Sequence, residues 1–490
     1  MLEDSSNEPN AALFSKDNLT INGSRKLTVH GNYNNGITSK DDLRITGGII
    51  EIDSVDDGLM GRDVVAVKEG NIAIEAGGDG IKSSNDKDSS KGNIALEGGT
   101  YEITASSDGI QAQASLFIAD GDYTISSGGG SPETIATKGN DMRPPSNETT
   151  TPTITETETE SAKGLKATVD VAVGGGSFKI DSSDDALHSN NSVTITGGEF
   201  TIASGDDGVH GDKAVQTKGG KINITKSYEG IESKVISIAD GEIDVTASDD
   251  GINVGCGNDG SGMDFQSTET QDNLLSISGG SVTVNAAGDG LDSNGSIQMT
   301  AGTVLVNGPT NNGNGSLDYD QSFEMTGGFL IAAGSAGMLQ ATSEQSTQNA
   351  IVMTYPDTQA AGTLLHVEDS DGNTVATFAP EKDYQAVFIS SPILEKDKDY
   401  TLYSGGTSTG KEANGLYRDG DYKDGTKVVE FTISDSVTWL NESGVTTGSS
   451  GGPGGGGMRG GGQRPDRGQA PPNGEMPDGS QTPPTTEQSQ

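Results

Sequence analysis

Two short motifs recur along this chain in fixed phase at a 22-residue step, and a period of that size restricts a chain to stacked, solenoid-like architectures. The first motif is an acidic residue, glycine and an aliphatic residue, as at Asp57-Gly58-Leu59, Asp79-Gly80-Ile81, Asp108-Gly109-Ile110, Asp207-Gly208-Val209, Glu229-Gly230-Ile231, Asp250-Gly251-Ile252 and Asp289-Gly290-Leu291. Variants stand at Asn35-Gly36-Ile37, Lys163-Gly164-Leu165 and Asp185-Ala186-Leu187. The second motif is a glycine, in most coils the second of a pair, followed by alternating large apolar residues, and it falls at Gly48, Gly70, Gly99, Gly121, Gly176, Gly198, Gly220, Gly241, Gly280, Gly302 and Gly328. Two independent markers that keep one phase are not a coincidence of composition.

Between these landmarks the pattern alternates with the period of two that a half-buried strand requires. Ile50/Ile52, Tyr101/Ile103, Phe178/Ile180 and Val282/Val284 follow glycine pairs, and Leu43/Ile45 and Val193/Ile195 precede them. A third, very short strand follows each acidic-Gly step. Three short strands per repeat, with no helical periodicity, predict an all-β parallel β-helix in which each coil stacks on the last at about 4.8 Å. About eleven coils would form a rod roughly 50 Å long. Longer steps mark insertions at Ser83 to Lys91, between Gly121 and Gly176, where one additional coil and a Pro/Thr/Glu-rich excursion through Pro132 to Glu160 are expected, and near Gly255 to Asp272. The predicted organisation is a disordered N-terminus over 1–12, the β-helix over 13–345, a small antiparallel β unit over 346–445 capping the rod's open edge, and a disordered Gly/Pro-rich tail over 446–490.

Charge narrows the partners. Among 490 residues, 30 Lys plus Arg stand against 72 Asp plus Glu, a net of −42. Such a surface gains nothing from the counterion release that drives nucleic-acid binding, and it is repelled by anionic membranes. Cys256 is the only cysteine, which excludes disulfides within the chain and thiolate metal clusters. No apolar run reaches the roughly 18 residues of a membrane span. Met1 to Asn10 is short, acidic and polar, unlike an export leader, so an extracellular or cell-surface location implies a leader already removed. A monomer is expected.

In a coil stack, residues of equal phase form columns. Asp56-Asp57, Asp184-Asp185, Asp206-Asp207 and Asp249-Asp250 share one column, with Asp79, Asp108, Glu229 and Asp289 aligned to the second members. Doubled acids on adjacent rungs repel unless cations bind or protons are retained, and hard oxygen ligands in loops suit Ca²⁺. The insertion carries two further candidate ligands, Asp86 and Asp88. The alternative is turn chemistry, with Asp closing an Asx turn and Gly taking positive φ. Three positions beyond each acid runs a second column containing Lys82, Gln111, Lys166, His188 and His210. Its side chains alternate with buried ones and are expected to face solvent, forming a polar strip suited to an extended polysaccharide. The bland alternative is a solvated sheet face, and His188 with His210 could instead ligate a transition metal. No phosphate-binding loop, nucleophile elbow or His-Glu-x-x-His occurs. Lys82 or Lys166 could serve geometrically as the base of a uronate lyase, but a lysine with an ordinary pKa is protonated at neutral pH.

Three runs carry a family resemblance: Tyr33-Asn34-Asn35-Gly36-Ile37-Thr38-Ser39-Lys40-Asp41-Asp42-Leu43, Ser182-Ser183-Asp184-Asp185-Ala186-Leu187-His188-Ser189-Asn190, and Thr225-Lys226-Ser227-Tyr228-Glu229-Gly230-Ile231-Glu232-Ser233. They resemble a bacterial family of carbohydrate-binding β-helix proteins, over roughly residues 13–440. The resemblance implies a right-handed parallel β-helix similar to pectate lyases, bound Ca²⁺, and binding of polygalacturonate and cellulose at the cell surface without established catalysis. The expected function is calcium-dependent binding of acidic polysaccharide, with a pectate-type lyase and a structural surface or matrix protein as the alternatives.

Overall fold

A computed structural model describes residues 9–135, 161–255 and 273–448. The N-terminal residues 1–8, most of the Pro/Thr/Glu-rich excursion, the loop that contains Cys256 and nearly all of the C-terminal tail lie outside the described residues. Within them the chain is β-strand and turn, wound as a parallel β-helix. No helix long and apolar enough to cross a membrane occurs among the described residues.

Each coil contributes three strands, as in Leu187–Ser189, Ser192–Ile195 and Glu199–Ser204. The short strands stack into one wall of 12 strands, from Ala11–Ser15 to Leu317–Tyr319. The second and third strands form the other two walls. In later coils these two fuse into single long strands such as Ala214–Lys226 and Leu274–Ala286, bent at the glycine pair. That bend is why this glycine recurs: all eleven have φ between +75° and +149°, a region closed to side chains with a Cβ.

The register is the one the repeat requires. Leu59 pairs with Ile37 and Ile81, and Leu187 with Leu165 and Val209. These columns point inward and are fully buried. Tyr101, Tyr123, Phe178 and Phe200 stack face to face down the interior with centroids 4.5, 4.7 and 4.4 Å apart. Each such pair adds about 0.5–1.5 kcal/mol beyond its buried area. The core is thus a bundle of ladders, and a chain only 30% hydrophobic can fill it because each coil needs few apolar residues.

Insertions leave the stack intact. Tyr123 pairs directly with Phe178, so the 55-residue step between Gly121 and Gly176 is a single coil step, with the excursion leaving after Ser127. Ile243 likewise pairs directly with Val282 across the 39-residue step. At the C-terminal end, Tyr384–Ser390 lies antiparallel on Phe329–Gly334, and Ala350–Gln359 lies antiparallel on Tyr384–Ser390. A six-stranded antiparallel sheet follows. This C-terminal unit sits on the outer face of the third-strand wall. It buries the outward-pointing Leu305, Ile331 and Ala333 in its own core, while Asn414 Nδ2 donates to Asp244 Oδ1 (2.8 Å) and Thr283 Oγ1 (2.7 Å).

Candidate functional site

The acidic column lies where each coil turns into its short strand. Rungs meet closely there: a Cβ on Gly58 would stand 2.5 Å from Ile74 Cγ2 and 2.6 Å from the Gly80 carbonyl oxygen. None of the Asp-Gly glycines has positive φ. The turn explanation for this glycine is therefore corrected: crowding between rungs, not backbone handedness, requires it. The second acid of three pairs, and Asp79 in the same column, has an inter-rung duty. Asp57 Oδ1 accepts the Asp79 amide (3.1 Å), Asp79 Oδ1 the Asp108 amide (2.9 Å), Asp185 Oδ1 the Asp207 amide (2.9 Å) and Asp250 Oδ1 the Asp289 amide (2.5 Å). These carboxylates form a ladder that ties coil to coil. The first members, Asp56, Asp184, Asp206 and Asp249, stand half-buried on its rim.

The polar column runs in the predicted register, from Lys82 through Gln111, Lys166 and His188 to His210. Its side chains do not form the expected solvent strip. His188 and His210 are 5% and 1% exposed, and the column folds onto the acid ladder beside it. Lys82 Nζ is 2.6 Å from Asp79 and 3.5 Å from Asp57. Lys166 Nζ donates to Asp108 Oδ2 (3.0 Å) and Ser161 Oγ (2.9 Å). His188 Nδ1 lies 2.8 Å from Asp185, and His210 Nδ1 lies 3.0 Å from Asp207 and 2.9 Å from Glu232. The exposure argument failed because a buried carboxylate three residues back attracts the outward side chain into its own recess.

A residue with no assigned role, Lys163, completes this compensation. It replaces the acid of its coil, and its ammonium sits 2.6 Å from Asp185 and 3.0 Å from Asp184. Burial pushes the Asp185 carboxyl up, but His188 and Lys163 outweigh burial and hold it below the usual range. Burial would lower the His210 imidazole, yet Asp207, Asp212 and Glu232 raise it well above its ordinary value. These acids favour the imidazolium, while burial, with Asp185, Glu232 and Asp206, pushes the Asp207 carboxyl well above the usual range despite its bond to His210. The two imidazoles stack in parallel, with centroids 4.9 Å apart and planes 11° apart, and Asp185, His188 and His210 each bring one ligand atom within 4.8 Å of the others, as do Asp207, His210 and Glu232. Lys82 is likewise held charged: burial works against its ammonium, but Asp79 and Asp57 prevail, which leaves it no capacity as a base.

Beyond His210 the compensation stops. The ladder continues through Asp250 and Asp289, and the outward column through Glu232, Asn253, Asp292 and Asp318. Among the described residues, no Lys, Arg or His makes an ion pair with Asp249, Asp250, Asp289, Asp292 or Asp318. Burial pushes Asp289 up to about 7. Burial, then Asp250, Asp289 and Asp318, raises Asp292 well above the usual range. Asn253 Nδ2 donates to Glu229 Oε2 (2.8 Å), while its Oδ1 is buried without a partner. Hard carboxylate oxygens beside an orphaned amide carbonyl are the donor type Ca²⁺ prefers, while the groups of three ligand atoms within 4.8 Å of one another among the described residues lie in the earlier coils. Asp249 and Asp250 belong to the expected ligand set, whereas Asp289, Asp292 and Asp318 do not. Their signal was the absence of lysine and histidine at the same phase.

Asp86 and Asp88 are exposed on the insertion, away from the ladder. Asp88 Oδ1 accepts from the Ser90 amide (3.1 Å) and hydroxyl (2.7 Å), and Asn85 Oδ1 accepts the Lys87 and Asp88 amides, so the loop closes on itself. A further acidic group absent from the sequence reading brings Asp41, Asp42 and Asp63 oxygens within 4.8 Å of one another. Lys91 already occupies it at 2.5 Å from Asp63.

The chain is similar to a carbohydrate-binding domain-containing protein of Acetivibrio thermocellus, 52% identical over 46 residues, a stretch that covers 9% of this chain and 16% of that relative. No solved structure matches it. The profile of the carbohydrate-binding domain-containing proteins matches residues 2–208 and 206–377, which together span most of the chain. With a β-helix beneath it and columns of polar side chains along it, the chain belongs to the family of carbohydrate-binding domain-containing proteins.

Proposed function

We propose that this protein binds acidic polysaccharide of the polygalacturonate type at the cell surface, through Ca²⁺ held along the acidic column. The observation that carries the reading is the uncompensated stretch from Asp249 to Asp318. A −42 chain repels a polyanion, and a cation shared between ladder carboxylates and uronate carboxylates removes that repulsion. The coils from Asp57 to His210 hold intramolecular ammonium and imidazolium groups instead, so the bridging site lies toward the C-terminal unit. Extracellular calcium is abundant enough to load a site of this kind, which agrees with export.

The test is calorimetric titration of polygalacturonate fragments in Ca²⁺ and in chelator, for the parent and for Asp249→Asn, Asp250→Asn and Asp292→Asn combined. Binding in Ca²⁺ alone, lost in the triple variant while its melting transition persists, is the expected result. Undiminished binding by the triple variant would refute the bridge.

A further inference from the structure

His210 faces more acid than its own charge balances. Its Nδ1 lies 3.0 Å from Asp207 Oδ2 and 2.9 Å from Glu232 Oε2, and its Nε2 lies 3.2 Å from Asp212 Oδ1. One ring therefore meets three carboxylates. Little water reaches the first two: Asp207 is 3% exposed, His210 1% and the Glu232 side chain 14%. The nearest buried ammonium is already engaged, since Lys163 sits on Asp185 and Asp184. Glu229, the next acid of the ladder, receives the neutral amide of Asn253 (2.8 Å) and, among the described residues, no cation.

The far side of the ring decides what the near side can do. When Nε2–H is given to Asp212, the Nδ1 lone pair points between Asp207 and Glu232, whose carboxylates are acceptors as well. Three lone pairs then meet, and a positive centre has to lie among them: shared protons or a metal ion. A carboxylate on the distal ring nitrogen is the usual partner of a metal-bound histidine, because it fixes the tautomer and raises the basicity of the ligating nitrogen. The preceding rung supplies the contrast. Asp185, His188 and His210 also bring ligand atoms within 4.8 Å of one another, but Asp185 Oδ2 already takes the Lys163 ammonium at 2.6 Å and His188 Nδ1 at 2.8 Å.

We propose that Asp207, His210 and Glu232 form a Zn²⁺ site that staples the rung Val209–Gly211 to the rung Ile231–Ser233. Donor chemistry selects the metal. An imidazole nitrogen with two carboxylates suits Zn²⁺, whereas Ca²⁺ takes about six to eight oxygens. His210 and Glu232 are register partners on adjacent strands, so the backbone ladder sets the separation of these two ligands before any metal arrives. Three protein ligands leave the fourth tetrahedral position to water. The site draws on neither the acids from Asp249 to Asp318 nor any glycan, and its test is separate from that of the calcium bridge.

The experiment is calorimetric titration of the full chain, stripped with chelator and dialysed into millimolar Ca²⁺, with Zn²⁺. The expected result is one tightly bound Zn²⁺ per chain, a higher melting temperature, and slower hydrogen exchange in the strands of His210 and Glu232 but not around Lys82. Glu232→Gln, which keeps the shape of the side chain, weakens Zn²⁺ binding about a hundredfold. Asp212→Asn, which acts only through the His210 ring, weakens it about tenfold. His30→Ala removes an exposed histidine on another wall and changes nothing. Co²⁺ in place of Zn²⁺ gives the visible absorption of a four-coordinate ion in the parent, a readout that needs no variant. The proposal falls if the parent binds no Zn²⁺ in the presence of Ca²⁺, if Glu232→Gln binds like the parent, if His30→Ala abolishes binding, or if bound Co²⁺ shows the spectrum of a six-coordinate ion.

Discussion

Lys163→Met is the most direct test of the idea that the middle coils carry their own cations. Methionine keeps the length and much of the volume of lysine, so the change removes the ammonium with little disturbance of packing. Lys163 is 6% exposed, and the Asp185 side chain it neutralises is fully buried. Removing one partner of a buried pair costs about 3–5 kcal/mol, because the remaining charge is left without compensation. His188 still reaches Asp185 at 2.8 Å, which sets the expectation at the lower end, about 3 kcal/mol. The Asp207 amide, bonded to Asp185 Oδ1 at 2.9 Å, is a built-in reporter. Native-state hydrogen exchange should show protection across residues 163–210 falling about a hundredfold, while the coil around Lys82 is unchanged, because solenoid stability is carried by nearest-neighbour contacts. Millimolar Ca²⁺ should restore part of the protection in the variant alone, since Asp184, Asp185 and Asp206 place oxygens within 4.8 Å of one another. A loss under tenfold would mean that Lys163 behaves like a surface ion pair and that the compensation argument is wrong. An even loss over all coils would refute the nearest-neighbour reasoning.

Gly58→Ala should destabilise by about 1–3 kcal/mol in urea unfolding, because its Cβ meets Ile74 and the Gly80 carbonyl. Ala186, which occupies the same phase, marks the tolerance: Leu187 N to Gly208 O is 3.3 Å against 2.9 Å for Leu59 N to Gly80 O, and Ala186→Gly should change stability by less than about 1 kcal/mol. The pH response should differ between coils. Asp289, at about 7 in the folded chain, keeps its proton between roughly pH 4 and 7 where the unfolded chain does not, so its coils lose up to about 4 kcal/mol as pH rises through that window, and Ca²⁺ should abolish the loss. Asp185 has the opposite sign: its contribution is present above about pH 4 and is lost as pH falls below the ordinary carboxylate value. Exchange at pH 4 and pH 7, with and without Ca²⁺, checks both.

The fold was legible because a solenoid writes its geometry once per coil. Eleven glycines at one phase, each with positive φ, and core positions two apart determine both where the chain bends and which side chains point inward. Expecting about eleven coils, against 12 strands on the short-strand wall, missed little, since the rung at Ala11–Ser15 has no acidic-Gly landmark. Glycine conformation was harder to read. The repeat contains two glycines with different physical reasons, one for φ and one for close approach, and a sequence shows the same letter for both.

The columns were legible in register and misread in exposure, and the reason is electrostatic. Alternation assigns Lys82, His188 and His210 to the outward side, which is correct for the backbone, but a long or ionisable side chain follows the nearest unpaired carboxylate. For Lys82, His188 and His210 that carboxylate lies three residues back on the same rung, and Lys166, whose own rung carries Lys163 there, reaches Asp108 on the preceding rung. The same rule reads in reverse. Where the outward column changes from Lys and His to Asn253, Asp292 and Asp318, no cation is left to fold inward, although Asn253 still donates to Glu229, and the ladder acids keep their repulsion. Compensation by lysine and histidine in one half and its absence in the other are therefore one design with two outcomes: middle coils whose ladder acids pair with the chain's own cations, and later coils whose ladder acids, among the described residues, have no such pair and are pushed up by burial. The second-strand wall carries no acid ladder, and Phe117 stands 48% exposed on it.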